Sequence, residues 1–343
     1  MLKRTKYLPV VLALMVAGLS PGAFAADAQA QSSKAAVSDS VHLVGATADS
    51  ADVTAIMDII NNLMAASNKH DIDGVLRDYS PAFVSGDNMS LDQVKKLIQE
   101  TWGVFPDIKY TTQTLEIRVS GDWATVESID SSTATAKVDP VMGGDAGQLE
   151  SRSRGLLYLH RIGKVWEINS DYTLYERALI TYGNLNNIKL DLSTPEQVFA
   201  GETYSARVSL DVPDGVLAIA TISKEPLVYP QVKPADKFRS LSSDRNTLER
   251  IFTANHNNTN EVVTATVGFT QVAQDSEDRP SVQLNGVATI VKRVNIIPKS
   301  TYKPETGDDL IHESANGTVD LSKDKDKAKD NQSSDDDGSS DDQ

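Results

Sequence analysis

The spacing of apolar residues changes near Pro106, and this change constrains the fold more than any other feature of the sequence. Before Pro106, apolar residues recur every three or four positions, at Val53, Ile56, Ile60, Leu63 and Met64. This spacing predicts an amphipathic helix, and Ser90 with Gln93 forms a capping box that opens a further helix. After Pro106, apolar and polar residues alternate, which indicates antiparallel strands. Helices followed by a strand meander predict an α+β domain over residues 51–178.

The segment from 186 to 298 has a different character, because strand-like runs follow one another without a helical pattern. The runs include "TYSARVSLDV", "GVLAIATIS" and "EVVTATVGFTQV", and turn residues separate them at intervals typical of a sandwich. In Pro213-Asp214-Gly215, proline restricts φ and glycine permits a positive φ, which favours a turn. We therefore predict an all-β, immunoglobulin-like β-sandwich that acts as an interaction or spacer module.

The two ends of the chain are predicted to lie outside these domains. Residues 1–25 combine a basic start and an apolar run with an Ala23-Phe24-Ala25 cleavage site, which predicts a bacterial secretory signal peptide. Residues 26–50 are interpreted as a flexible leader and residues 299–343 as a disordered acidic tail, since neither composition can bury a core. We expect export to the periplasm or out of the cell, with no membrane-spanning segment.

The charge and the residue types exclude several classes of partner. The net charge is −15 at pH 7, and this acidic balance argues against nucleic acid and anionic membrane as partners. The sequence contains no cysteine, so the fold has neither disulfides nor thiolate ligands. Its five histidines show none of the spacings typical of zinc sites. We therefore predict no metal site and no cofactor.

The register of one hairpin can be predicted from its turn. Gly163-Lys164 suits a two-residue type II′ turn, which places Ile162 opposite Val165 and His160 opposite Glu167. Residues that lie opposite one another share a face of the sheet, and the helices are expected to cover the more apolar face. Gly121-Asp122 suits the turn of a second hairpin, whose apolar face carries Leu115, Ile117, Val119, Ala124 and Val126.

This register predicts which side chains line a pocket between sheet and helices, provided that no β-bulge shifts it. The predicted lining residues are Trp102, Arg161, Trp166, Ile168 and Tyr172. The opposite, outward face is expected to carry His160, Glu167 and Asp171. Because an acid–base enzyme needs a carboxylate or histidine in a desolvated pocket, the register predicts no catalytic residue.

Two stretches carry a resemblance to a known family. "NKHDIDGVLRDYSPAFVSGD" and "GKVWEINSDYT" resemble the NTF2-like, SnoaL-like superfamily, and the similarity extends over residues 52–177. The resemblance implies a curved sheet wrapped around helices, a cone with an apolar pocket, and homodimers formed through the sheet. Some members of the superfamily are isomerases, dehydratases or cyclases, and many only bind ligands or proteins. The second segment resembles bacterial immunoglobulin-like modules.

Three functions remain open at this point. The first is an exported, non-catalytic protein that binds a small apolar ligand in the cone, or a protein partner through the β-sandwich. The second is an enzyme of SnoaL or steroid-isomerase type that acts on a hydrophobic substrate, and the third is a purely structural protein. The interior of the cone distinguishes them: an inward carboxylate or histidine favours the enzyme, a roomy apolar cavity favours binding, and a packed interior favours structure.

Overall fold

A computed structural model describes most of the chain between residues 41 and 299. The described residues are 41–47, 50–136, 146–183, 185, 188–211, 216–231, 239–241, 246–274 and 280–299. The predicted signal peptide, most of the leader, the acidic tail after Lys299 and the Pro213-Asp214-Gly215 turn lie outside them. The described residues belong to one compact unit.

Three helices and fourteen strands form within the described residues. The helices are α1 (Ala51–Lys69), α2 (Ile72–Leu76) and α3 (Leu91–Val104). The strands are β1 (His42–Val44), β2 (Tyr79–Val84), β3 (Lys109–Ser120), β4 (Trp123–Ala136), β5 (Gly147–Ile162), β6 (Val165–Gly183), β7 (Lys189–Ser193), β8 (Gln197–Phe199), β9 (Thr203–Asp211), β10 (Val216–Pro226), β11 (Arg239–Ser240), β12 (Thr247–Thr253), β13 (Glu261–Gln274) and β14 (Pro280–Ile297). None of these three helices is long and apolar enough to cross a membrane.

The helix ends follow the chemistry of their capping residues. The Ser50 hydroxyl accepts a hydrogen bond from the Val53 N–H at the start of α1. The predicted capping box is confirmed at α3, where the Ser90 N–H donates to the Gln93 side chain at 2.9 Å. His70 ends α1 in the left-handed conformation, at φ 57°, and its N–H bonds back into the last turn.

One large mixed sheet runs through most of the structure. Its strand order is β1-β3-β4-β5-β6-β14-β13-β10-β11, with β2 beside β6 and β8 beside β14. The pairs β1–β3, β2–β6 and β8–β14 are parallel, and the other pairs in this sheet are antiparallel. A separate sheet contains β12, β9 and β7.

The large sheet has a hydrophobic core on each face. One core includes the apolar faces of α1 and α3 together with Val291 of β14. The other includes Ile290 of β14 and buried apolar residues of β7, β9 and β12. Because neighbouring residues of a strand point to opposite faces, the helices cover one face and the small sheet covers the other.

The predicted fold, an α+β NTF2-like cone followed by an immunoglobulin-like sandwich, is wrong. The protein is predominantly β, and one mixed sheet extends through both predicted segments. The physical reason is β6, which continues to Gly183 and pairs with β14 from Gly183↔Gly286 to Arg177↔Lys292. The prediction ended the first domain at residue 178, inside this strand, because a sequence pattern cannot show a partner strand so distant along the chain. The NTF2-like and SnoaL-like likeness is therefore not supported.

Candidate functional site

Four adjacent strands place a row of polar side chains on the face that the helices cover. Thr112 of β3 lies opposite Asp130 of β4, Asp130 lies opposite Ser153 of β5, and Ser153 lies opposite Glu176 of β6. Asp130 shares a face with the buried Val126, since residues at even spacing along a strand point the same way. All four polar residues of the row are buried. The interior of the sheet thus carries carboxyl and hydroxyl groups where an apolar core would ordinarily lie.

A cavity of about 30 Å³ lies against this row. Leu63 of α1 and Leu156 and Leu157 of β5 form its apolar walls. Its polar lining is Ser128, Asp130, Ser153, Asp171, Thr173 and Glu176. A space of this size holds about one or two water molecules or the small head group of a ligand.

Three carboxyl oxygens of the cavity have no hydrogen-bond partner among the described residues. They are Oδ1 of Asp130 and both Oε atoms of Glu176. The other oxygen of Asp130 accepts a hydrogen bond from the Ser128 hydroxyl at 3.1 Å. The Arg293 Nη1 atom lies 3.9 Å from Glu176 Oε2, beyond hydrogen-bond distance. Because a buried acceptor without a partner is costly, these oxygens call for a donor that the described part of the chain does not provide.

Burial changes the acidity of the three carboxyl groups. It raises the pKa of Asp130 to about 7, although the hydrogen bond from Ser128 acts in the opposite direction. It raises the pKa of Glu176 to about 8, with Arg293 opposing the rise and Asp87 adding to it. It raises the pKa of Asp171 to about 6, against the hydrogen bond that Gly86 donates. The charge of the cavity therefore changes near neutral pH.

A β-bulge brings Asp171 into the cavity, so its predicted outward position is wrong. The predicted pairs Ile162–Val165 and His160–Glu167 are confirmed. Beyond them the register shifts between Tyr158 and Leu159, and Asp171 pairs with Leu157. An extra residue in one strand reverses the faces of the residues that follow it, which places Asp171 inward.

The predicted lining residues divide between the cavity and other parts of the core. Tyr172 borders the cavity. The Trp102 Nε1–H donates to the Tyr110 hydroxyl at 3.1 Å, and its ring stacks on His70. Ile168 is fully buried in the core on the helix side.

Arg161 and Trp166, the other two predicted lining residues, meet at the start of α1. The Trp166 Nε1–H donates to Asp52 at 3.0 Å, and Arg161 Nη1 donates to the same carboxylate at 2.8 Å. Arg161 also bonds Asp122 in the β3–β4 turn. This cluster joins a helix end to two hairpins and does not border the cavity described above.

Sequence reasoning missed Asp130 and Glu176, but a signal for each was present. The Gly121-Asp122 turn is confirmed by the pairs Val119–Ala124 and Ile117–Val126. Continuing the alternation from Val126 along β4 reaches Asp130 on the inward face, and no shift interrupts β4 against β5. Glu176 lies beyond two bulges of β6 that together restore the original alternation, so the alternation from Trp166 and Ile168 also reaches Glu176 on the inward face.

The loop between β2 and α3 forms hydrogen bonds both to the cavity residue Asp171 and to residues of the segment 186–298. The Gly86 N–H donates to Asp171 Oδ1 at 3.0 Å. The neighbouring Asp87 accepts hydrogen bonds from Arg293 of β14, at 2.9 Å from Nη1, and from the Asn260 amide at 2.8 Å. The side chains of Arg293 and Asp87 are completely buried, at 0% and 1% exposed. Arg293 is therefore hydrogen-bonded to Asp87, and it lies 3.9 Å from Glu176 as well.

Comparisons with known proteins add no argument about this site. No protein-family model matches the sequence, and no curated protein is similar to it. Among solved structures, the chain is similar to a conserved protein from Planctomyces limnophilus, at 15% identity and a TM-score of 0.31, over 35% of this chain and 93% of that one. It is also similar to a protein from Kribbella flavida, at 12% identity and a TM-score of 0.30, over 36% of this chain and 88% of that one. Similarity at these TM-scores supports no conclusion about fold or function.

Proposed function

We propose that the protein binds a small polar molecule at the cavity formed by Asp130, Asp171 and Glu176. The observation that carries this proposal is the set of three buried carboxyl oxygens that line the cavity without a hydrogen-bond partner. A ligand that donates hydrogen bonds to them would recover the free energy lost on their burial. The predicted export and the predicted protein partner of the second segment stay predictions.

The ligand we propose differs from the apolar one expected from the sequence. That expectation assumed an interior without inward acids. An apolar molecule would leave Asp130 and Glu176 unpartnered and would exclude the water that could otherwise solvate them. Leu63, Leu156 and Leu157 can still contact an apolar part of the ligand beside its polar group.

Acid–base catalysis on the bound molecule is a second candidate function, and one observation favours it. Burial raises the pKa of Asp130 to about 7, where a carboxyl group can both donate and accept a proton. An inward carboxylate is also the feature that sequence reasoning associated with an enzyme. Conversion of a bound compound by the wild type, lost in Asp130→Asn, would support this function over binding alone.

The binding proposal can be tested by filling the cavity. A Cβ added at Gly155 would meet only the Tyr172 carbonyl oxygen within 4 Å, at 3.4 Å, so Gly155→Ala is expected to fold. We would screen a panel of small amines, alcohols, amides and carboxylic acids by ligand-observed NMR. We expect at least one compound to bind the wild type, and Gly155→Ala to weaken that binding about tenfold or more, because the new methyl group occupies the site.

Gly103→Ala on α3 is the matched control, since its new Cβ would have no neighbour within 4 Å. This variant is expected to bind as the wild type does. Equal binding by the wild type and Gly155→Ala would place the ligand elsewhere and contradict the proposal. A panel without any binder, together with no ligand mass on protein purified from its own host, would contradict it as well.

A further inference from the structure

We propose that the ligand of the cavity carries a primary ammonium group, which Asp130 and Glu176 bind from two sides. This inference rests on the proposed function and specifies its ligand class. Three observations support it: the number of carboxyl oxygens without a hydrogen-bond partner, the position of their residues in the sheet, and the charged groups around the cavity.

The number of donors on a primary ammonium group equals the number of unpartnered acceptors in the cavity. A primary ammonium group has three N–H donors and no acceptor. The cavity provides three unpartnered acceptors, one on Asp130 and two on Glu176. The two residues are buried, at 8% and 2% exposed. A hydroxyl group has only one donor and would leave two of these oxygens without a partner.

The position of the two acids in the sheet leaves room between them. Asp130 and Glu176 lie on either side of Ser153 in the cross-strand row. Two strand spacings separate their Cα atoms by about 10 Å. A nitrogen that bridges the two carboxylates at about 2.8 Å from each would lie over Ser153, between the two acids. The Ser153 hydroxyl also borders the cavity at this point.

The described charged groups around the cavity leave its acids one cation, Arg293, which they share with Asp87. Arg293 is bound to Asp87, and it reaches Glu176 only at 3.9 Å. Asp171 lines the cavity as a third acid. Buried carboxylates are stabilised by pairing with a cation, so a positive ligand is favoured and an anionic one is repelled.

The raised pKa values of the two acids give this inference a distinctive pH dependence. An ammonium group binds the ionised carboxylates, and they are largely protonated at pH 6 in the free protein. Binding at that pH must release their protons, which weakens it. A primary amine remains charged at pH 8.5, as lysine does. The affinity is therefore expected to increase from pH 6 to pH 8.5.

The test compares three probes of similar size and different charge: propylammonium, 1-propanol and propionate. Binding is measured by protein-observed NMR titration at pH 6 and pH 8.5. We expect propylammonium to bind about tenfold or more tightly than 1-propanol at pH 8.5, and about tenfold or more weakly at pH 6 than at pH 8.5. Propionate is expected to bind more weakly than 1-propanol.

Isosteric variants identify the groups responsible. Asp130→Asn and Glu176→Gln should each reduce the affinity for propylammonium about tenfold and flatten its pH dependence. The matched control is Glu150→Gln at an exposed position of β5. This variant should change neither the affinity for propylammonium nor its pH dependence. Calorimetry in two buffers of different ionisation enthalpy should show protons released when propylammonium binds.

Three results would overturn the inference. Stronger binding of 1-propanol or propionate, abolished by Gly155→Ala, would contradict the ammonium class and leave the proposed function intact. Binding of propylammonium that is independent of pH, or unchanged in both isosteric variants, would show that the acids do not hold it. Absence of binding by all three probes would also reject the ammonium class, and the wider panel would then decide whether the cavity binds a ligand at all.

Discussion

Glu176 and Glu261 are equally buried, but they have opposite surroundings. Glu176 is 2% exposed, and neither of its carboxyl oxygens has a hydrogen-bond partner among the described residues. Glu261 is 1% exposed and accepts hydrogen bonds from Lys224 at 2.7 Å and from Tyr204 at 2.9 Å. The N–H and the side-chain amide of Asn255 donate to it as well, each at 2.9 Å. The described residues provide hydrogen-bond donors for the carboxylate of Glu261 and none for that of Glu176.

The difference separates a structural acid from a candidate binding acid. Glu261 connects β9, β10 and the start of β13 with the loop after β12 through Tyr204, Lys224 and Asn255. Glu176 accepts no hydrogen bond from the described residues, lies 3.9 Å from Arg293 and lines a cavity. A buried acid that the fold satisfies stabilises the native state, whereas an unsatisfied one lowers stability unless a ligand provides the missing donors.

The largest expected effect is the loss of Glu261. Glu261→Gln removes the charge that compensates Lys224, and we expect it to lower the free energy of unfolding by about 3–5 kcal/mol. Urea unfolding monitored by circular dichroism would measure the change. The control is Glu249→Gln on β12, which removes an exposed pair with Arg207 and should have little effect. A loss in Glu261→Gln no greater than in the control would show that Glu261 is not a structural acid.

The same substitution at Glu176 should have the opposite sign. Its pKa is raised from 4.5 to about 8, so the folded protein holds a proton that the unfolded chain releases between these pH values. The wild type therefore loses stability as the pH rises from about 4.5 to about 8. Glu176→Gln removes this loss, and it should stabilise the protein at pH 9 by about 1–4 kcal/mol and change little at pH 4.

Urea unfolding of both proteins at pH 4, 6 and 9 would measure this prediction. The difference in unfolding free energy should increase with pH. A Glu176→Gln variant that is less stable than the wild type at pH 9 would show that the fold satisfies this carboxylate after all, and the contrast with Glu261 would disappear.

The features that could be predicted from the sequence are local ones. The Ser90–Gln93 capping box depends on residues three positions apart, and both hairpin registers depend on turns of two residues. In each case the interacting residues are neighbours along the chain, so a short pattern contains the needed information. The same alternation, continued from Val126, also places Asp130 inward.

The features that could not be predicted depend on distant strands and on irregularities. Nothing near Leu179 shows that β6 pairs with β14, more than a hundred residues later, and this pairing joins the two segments in one sheet. The shifts beside Leu159 and Gly155 turn Asp171 and Thr173 inward and then restore the original alternation at Glu176. Such bulges are determined by packing across the sheet, which a single strand does not encode.

The smallest expected effect concerns Ser128, whose hydroxyl provides the hydrogen bond to Asp130. This bond opposes the effect of burial, so Ser128→Ala should raise the pKa of Asp130 further above about 7. Carboxyl-detected ¹³C NMR titration would measure it. Ser131→Ala, on the other face of β4, should leave that pKa unchanged. If Ser128→Ala did not raise the pKa of Asp130, another group would donate a hydrogen bond to this carboxyl group. Asp130 would then be a satisfied acid, as Glu261 is, and the contrast between the cavity and the surroundings of Glu261 would be weaker.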